Sequence, residues 1–185
     1  MTELAHIRVH EEKASEYASH EDFLRIFNED TDSLYQLSFL LTRDAVKAEE
    51  CFVGGIEDSI AGNSVFREWA RSWAKRVIIQ NAVRKLSPRP RQSDSASPTI
   101  FADVDQLSSG RGRHFAMEAV LGLEDFERFV FIMSVLEHYS EHDCALLLGC
   151  SVGDIREGRI RALKELADSA HMEATASQLL LQEKK

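Results

Sequence analysis

Residues 140–166 read "SEHDCALLLGCSVGDIREGRIRALKEL", and their spacing decides the fold class. Two runs of helical apolar spacing meet at Gly149. Each opens on a serine with an aspartate three residues later: Ser140 with Asp143, Ser151 with Asp154. A serine hydroxyl ahead of a helix accepts the N–H of the third helical residue, and an acid at that residue reaches back to the serine N–H. Glycine tolerates the left-handed backbone that ends a helix. The stretch is a short helix, a tight turn and a second helix, the helix-turn-helix pattern. Its plainer alternative is a helical hairpin inside a bundle.

The helical period extends outward in both directions. "EDFERFVFIMSVLEH" at 124–138 carries Phe126, Phe129, Val130, Ile132, Met133 and Leu136 as its apolar residues. Residues 21–42 are helical, with a break expected at "NED". Residues 44–60 follow the same period, weakened by Gly54–Gly55, since a glycine costs about 1 kcal/mol against alanine in a helix. "VFREWARSWAKRVIIQNAVRKL" at 65–86 predicts one long helix, with Phe66, Trp69, Trp73 and Val77 facing inward and a cationic polar face. Residues 87–113 hold all three prolines among Ser, Asp and Gly, which marks a linker. No strand-like alternation occurs. The expected fold is all-α: two small helical bundles at 21–86 and 114–170, the second ending in the helix-turn-helix. A flexible N-terminus (1–20) and a tail (171–185) flank them.

Charge is unevenly distributed along the 185 residues, whose net charge is −9. Residues 1–65 are net −9, whereas residues 66–91 carry 8 basic side chains against 1 acidic. Residues 124–168 are net −5. An acidic protein repels phosphate on average, so nucleic-acid contact rests on the short basic block. Cys51, Cys144 and Cys150 have no CxxC spacing and frame no disulfide set. His138, His142, Cys144 and Cys150 are close in sequence but lack metal-ligand spacing, so no metal and no cofactor are expected. No apolar run has the length of a membrane span, and the N-terminus lacks a signal-peptide core, which predicts a cytoplasmic protein. Nucleophile-elbow, P-loop and zincin motifs are absent, so no enzymatic activity is expected.

Together, a basic helix bearing Trp69 and Trp73, a Pro/Ser-rich linker and a terminal helix-turn-helix resemble the bacterial sigma-70 family, in particular its extracytoplasmic-function group. The matching places in the second half are Leu123, Arg128, Val130, Ser140, Ala145, Leu148, Gly149, Ser151, Gly153, Ile155, Arg161, Ala162 and Leu166. "WAKRVIIQNAVRKL" resembles the family helix that reads the promoter −10 element. Where family members read "GTVKSR", this chain reads "GDIREGR", with Gly158 at the place of an arginine. Where they read "DLVQE", it reads "ECFVG".

The resemblance implies a transcription initiation factor whose partners are promoter DNA, core RNA polymerase and an anti-sigma factor. It places polymerase contact at Glu49, Glu50 and Val53. DNA contact falls on Arg67, Trp69, Arg71, Trp73, Lys75, Arg76, Gln80, Arg84 and Lys85 in the first half. In the second half it falls on Ser151, Arg156, Glu157, Arg159 and Arg161. Glu157 can accept from cytosine N4, and tryptophans can stack on unpaired bases. Asp154 and Glu157 oppose the arginines. Changing Glu157 to Ser and Gly158 to Arg is therefore expected to raise DNA affinity. Two other readings stay open: a DNA-binding regulator on the same fold, and a protein-interaction module that sequesters or mimics a sigma factor. Limited proteolysis should cut first within 87–113; cleavage elsewhere with that stretch intact counts against a linker.

Overall fold

The computed structural model describes residues 16–62, 64–91 and 117–182, the side chains of 172–182 excepted. Most of the expected linker, and residues 1–15 of the expected N-terminal segment, lie outside the described residues. The chain divides into two compact units, Met1–Ser87 and Pro88–Lys185. The described residues are helical, apart from turns and one isolated antiparallel bridge between Tyr17 and Phe66. Among them no helix is long and apolar enough to cross a membrane.

The first unit is built from α1 (His20–Glu29), α2 (Thr31–Thr42), α3 (Ala45–Ala61) and α4 (Ala70–Leu86). Ser19 and Asp22 form a reciprocal capping box at the start of α1. The break expected at "NED" falls at Asp30, between α1 and α2. Asp44 caps α3 by accepting the N–H groups of Val46 and Lys47 at 2.9 and 3.1 Å. Phe23, Phe27, Leu34, Leu41, Val77, Ile78 and Ile79 fill the core. α4 packs against the other three helices and buries Ala70, Ala74 and Ala82 where they cross.

Gly54 and Gly55 do not interrupt α3; they let α4 approach it. A Cβ on Gly55 would stand 2.9 Å from Ile78 Cγ1, and one on Gly54 would stand 2.6 Å from Asn81 Oδ1. The helix-propensity loss is thus offset by close packing.

The basic helix differs from its sequence reading at its start. Arg67–Trp69 form a 3₁₀ turn, and α4 begins at Ala70. The tighter turn breaks the 3.6-residue phase. Trp69 therefore points outward, 57% exposed, while Val77 is buried.

The second unit holds a helical stretch at 117–122, then α5 (Asp125–Phe131), α6 (Glu141–Leu148) and α7 (Val152–Gln182). α5 runs into a π turn over Ile132–Leu136. That wider turn rotates Leu136 out of the apolar row, leaving it 45% exposed although Ile132 and Met133 are fully buried. The chain reverses through His138 at φ 57°, and Tyr139 donates to the Met133 carbonyl at 2.9 Å. Arg128 is wholly buried, donating to the Leu123 carbonyl at 2.8 Å and to Asp125 at 2.7 Å. Glu127 is equally buried and accepts from Arg161 at 2.7 Å. Arg91 reaches Glu124 at 2.8 Å and Glu165 at 3.6 Å, tying the entry of the unit to α7. α7 continues as helix into the stretch read as a tail, as far as Gln182.

Gly55→Val should destabilise the first unit by about 1–3 kcal/mol, the usual cost of overpacking. The check is a lower urea midpoint at unchanged m value.

Candidate nucleic-acid interface

The residues assigned to DNA in the first unit lie on the 3₁₀ turn and α4, and four of their cations, Arg67, Arg71, Arg84 and Lys85, are held by carboxylates. Arg67, 49% exposed, sits 3.2 Å from Asp22. Arg71 is held between Glu29 at 2.5 Å and Asp30. Arg84 pairs with Asp58 and donates to Asn81 Oδ1 at 2.9 Å. Lys85 pairs with Glu50. Lys75, Arg76 and Gln80 are half-buried on the same helix.

The acids come from α1, the α1–α2 junction and α3. Pairs like these, open to water and salt, stabilise the fold little. Their electrostatic consequence is clear nonetheless. The carboxylate of Asp30, then that of Glu29, raises the Arg71 pKa by accepting from it. Glu50 does the same for Lys85. Asp22 is held below the usual carboxylate range, first by the Ser19 N–H, then by the Ser19 hydroxyl, Arg67 and Arg25, against the opposing effect of burial. The basic block thus carries its counter-charges with it.

Trp69 projects from the turn that starts this helix. Its ring meets Phe66 edge-on at 5.2 Å, and Phe66 stacks on Tyr17 at 4.7 Å. Trp73 is half-buried, and its indole N–H has no hydrogen-bond partner among the described residues. Of the two tryptophans, Trp69 is the one whose face is open to a base.

The residues read as a polymerase contact share one side of α3. Glu49 and Glu50 are exposed, and Val53 is 45% exposed. Val46, one turn earlier, is 67% exposed and extends the same row. The sequence reading missed Val46, although the 46, 50, 53 spacing signals a shared face.

In the second unit, both halves of the expected capping box form at Ser151 and Asp154, whereas at Ser140 only the serine half forms. Ser140 accepts from the Asp143 N–H at 3.1 Å. Ser151 accepts from the Asp154 N–H at 3.1 Å, and Asp154 accepts from the Ser151 N–H at 2.8 Å. Gly149 ends α6 at φ 65°. Asp154 is committed to this cap, and the Ser151 hydroxyl is the main cause of its lowered pKa. Arg156 and Arg159 both bind Glu141 on α6, at 2.7 and 2.6 Å. Arg161 turns inward to buried Glu127 and lies 3.6 Å from Glu157, which is 60% exposed.

Gly158 has a different task from the one the sequence comparison suggested. It is buried, and a Cβ there would stand 2.8 Å from the Phe126 ring and 3.3 Å from Val130. The position faces α5 rather than solvent, so an arginine placed there cannot reach DNA. The Gly158→Arg part of the expected double change therefore works against this packing.

Cys51 and Cys144 are buried and Cys150 is half-buried, all as free thiols. Burial pushes the Cys144 thiol up to about 11. Among the described residues no group of three or more His, Cys, Asp or Glu is placed to hold a metal.

No family model and no curated protein matches the chain. Among solved structures, the chain is similar to the sigma factor RpoE from Bartonella quintana, crystallised in complex with the anti-sigma factor NepR. Identity is 17%, coverage is 82% of this chain and 98% of that one, and the TM-score is 0.45. Likeness at that level assigns neither family nor function.

Gly158→Arg should destabilise the second unit by about 1–3 kcal/mol or more, through overpacking against Phe126 and Val130. Circular-dichroism melting of the full chain checks it; an unchanged melting temperature removes the packing argument.

Proposed function

We propose that the chain is a sigma-like transcription initiation factor that binds core RNA polymerase and promoter DNA. The observation that carries this reading is the doubly capped α6–turn–α7 element. Its N-terminal turns hold Ser151, Arg156 and Glu157 on exposed surface, the place from which a recognition helix meets the major groove. The sequence resemblance over residues 21–168 supports it, as does the clustering of basic residues at 66–91.

In this reading Trp69 stacks on an unpaired base, and Arg67, Arg71, Lys75, Arg76, Gln80, Arg84 and Lys85 follow the backbone. Glu49, Glu50 and Val53, with Val46 beside them, face the polymerase. A second reading is a protein-interaction module on the same architecture. The internal pairing of Arg71, Arg84, Lys85, Arg156 and Arg159 favours it, because each phosphate contact must first displace a carboxylate.

Capture of core RNA polymerase by the tagged full chain separates the two. The initiation reading expects stoichiometric capture; its absence sinks that reading. It also expects Trp69→Ala to retain capture while weakening single-stranded DNA binding roughly tenfold, since stacking contributes ~1–3 kcal/mol per base. Fluorescence anisotropy measures the second effect.

A further inference from the structure

One carboxylate to which the sequence reading gave no role stands at the start of α6, facing α7. Glu141, the first residue of α6, uses both of its oxygens. Oε2 accepts from Arg156 Nε at 2.7 Å and Oε1 accepts from Arg159 Nη2 at 2.6 Å. The two arginines lie nearly one helical turn apart, so one anion bridges both. We propose that Glu141 is an internal counter-anion that sets how tightly α7 binds nucleic-acid phosphate, by occupying the two guanidinium groups phosphate would otherwise take.

The geometry resembles a phosphate contact. Two charge-assisted N–H donors converge on two oxygens of a single anion, as in arginine recognition of phosphate. Arg156 is 63% exposed and Glu141 26%, so the pair stands open to exchange with an incoming anion. Exposed pairs are weak and salt-screened, which makes exchange feasible rather than prohibitive. Glu141 also occupies the first turn of α6, where the helix dipole favours a carboxylate. The hydrogen bond from Arg156, followed by that from Arg159, lowers its pKa, so the counter-charge persists throughout the neutral range. The rival role is a buttress that orients the arginines toward bases. The two roles predict opposite signs for the loss of the charge.

This inference rests on the DNA-contacting part of the proposed function. The test is anisotropy of a labelled random-sequence duplex against the full chain across a salt series. Glu141→Gln should bind roughly tenfold tighter at low salt. Its log–log salt slope should steepen by up to about 1.8, two contacts at about 0.9 each. In an Arg156→Ala, Arg159→Ala background the same change should do nothing. Asp168→Asn, an equal charge change at an exposed position of α7, should give no comparable gain.

Weaker or unchanged binding by Glu141→Gln overturns the proposal. A measurement on the unmodified chain guards against a folding defect: the Arg156 Nε–H resonance should shift in step with added duplex, and an unmoved resonance overturns the proposal too. If the chain captures polymerase while Glu141→Gln is neutral, the counter-anion role fails alone. If it captures no polymerase yet Glu141→Gln gains DNA affinity, the initiation reading fails and the counter-anion role stands.

Discussion

Among the described residues, carboxylates from neighbouring helices hold many of the cations, and much of the surface follows from that pairing. A basic row on α4 would repel itself if left alone. Asp22, Glu29 and Asp30 neutralise its start, and Asp58 and Glu50 neutralise its end. The second unit repeats the device with Glu141 against Arg156 and Arg159, and with Glu127 against Arg161. The strong charge segregation in the sequence therefore becomes a mosaic in space. Long-range attraction of any polyanion is correspondingly small.

Packing sets which pairs form. The glycines of α3 draw α4 close enough for Asn81 to donate to Asp58 at 3.0 Å and for Arg84 to join the same carboxylate. In the second unit, Gly158 brings α7 down onto Phe126 and Val130, and Arg161, three residues on, then meets buried Glu127. In both units a missing side chain creates the approach, and an ion pair forms at its edge.

The legible part of the sequence was the local part. Capping at Ser140 and Ser151 spans three residues, so the motif is its own explanation. The break at Asp30 and the course of α3 followed the same short-range rules. Trp69 was misplaced because three residues of 3₁₀ turn shift the helical phase. Gly158 looked like a lost contact because spacing alone does not say which face meets a phenylalanine. The carboxylates that occupy the candidate site were invisible for a simpler reason. Their partners lie 15 to 45 residues away in sequence, where only the tertiary fold brings them together.

The π turn at Ile132–Leu136 has an evolutionary consequence. A π turn is one residue wedged into an α-helix. Losing a single residue there would let the helix close up as regular α, turning everything after it by about 100°. The reversal at His138 would then launch α6 from the wrong side, carrying Glu141 away from α7. Length in this short segment is thus under tighter constraint than identity: substitutions at exposed Leu136 are cheap, whereas a one-codon deletion would dismantle the arrangement of the last two helices.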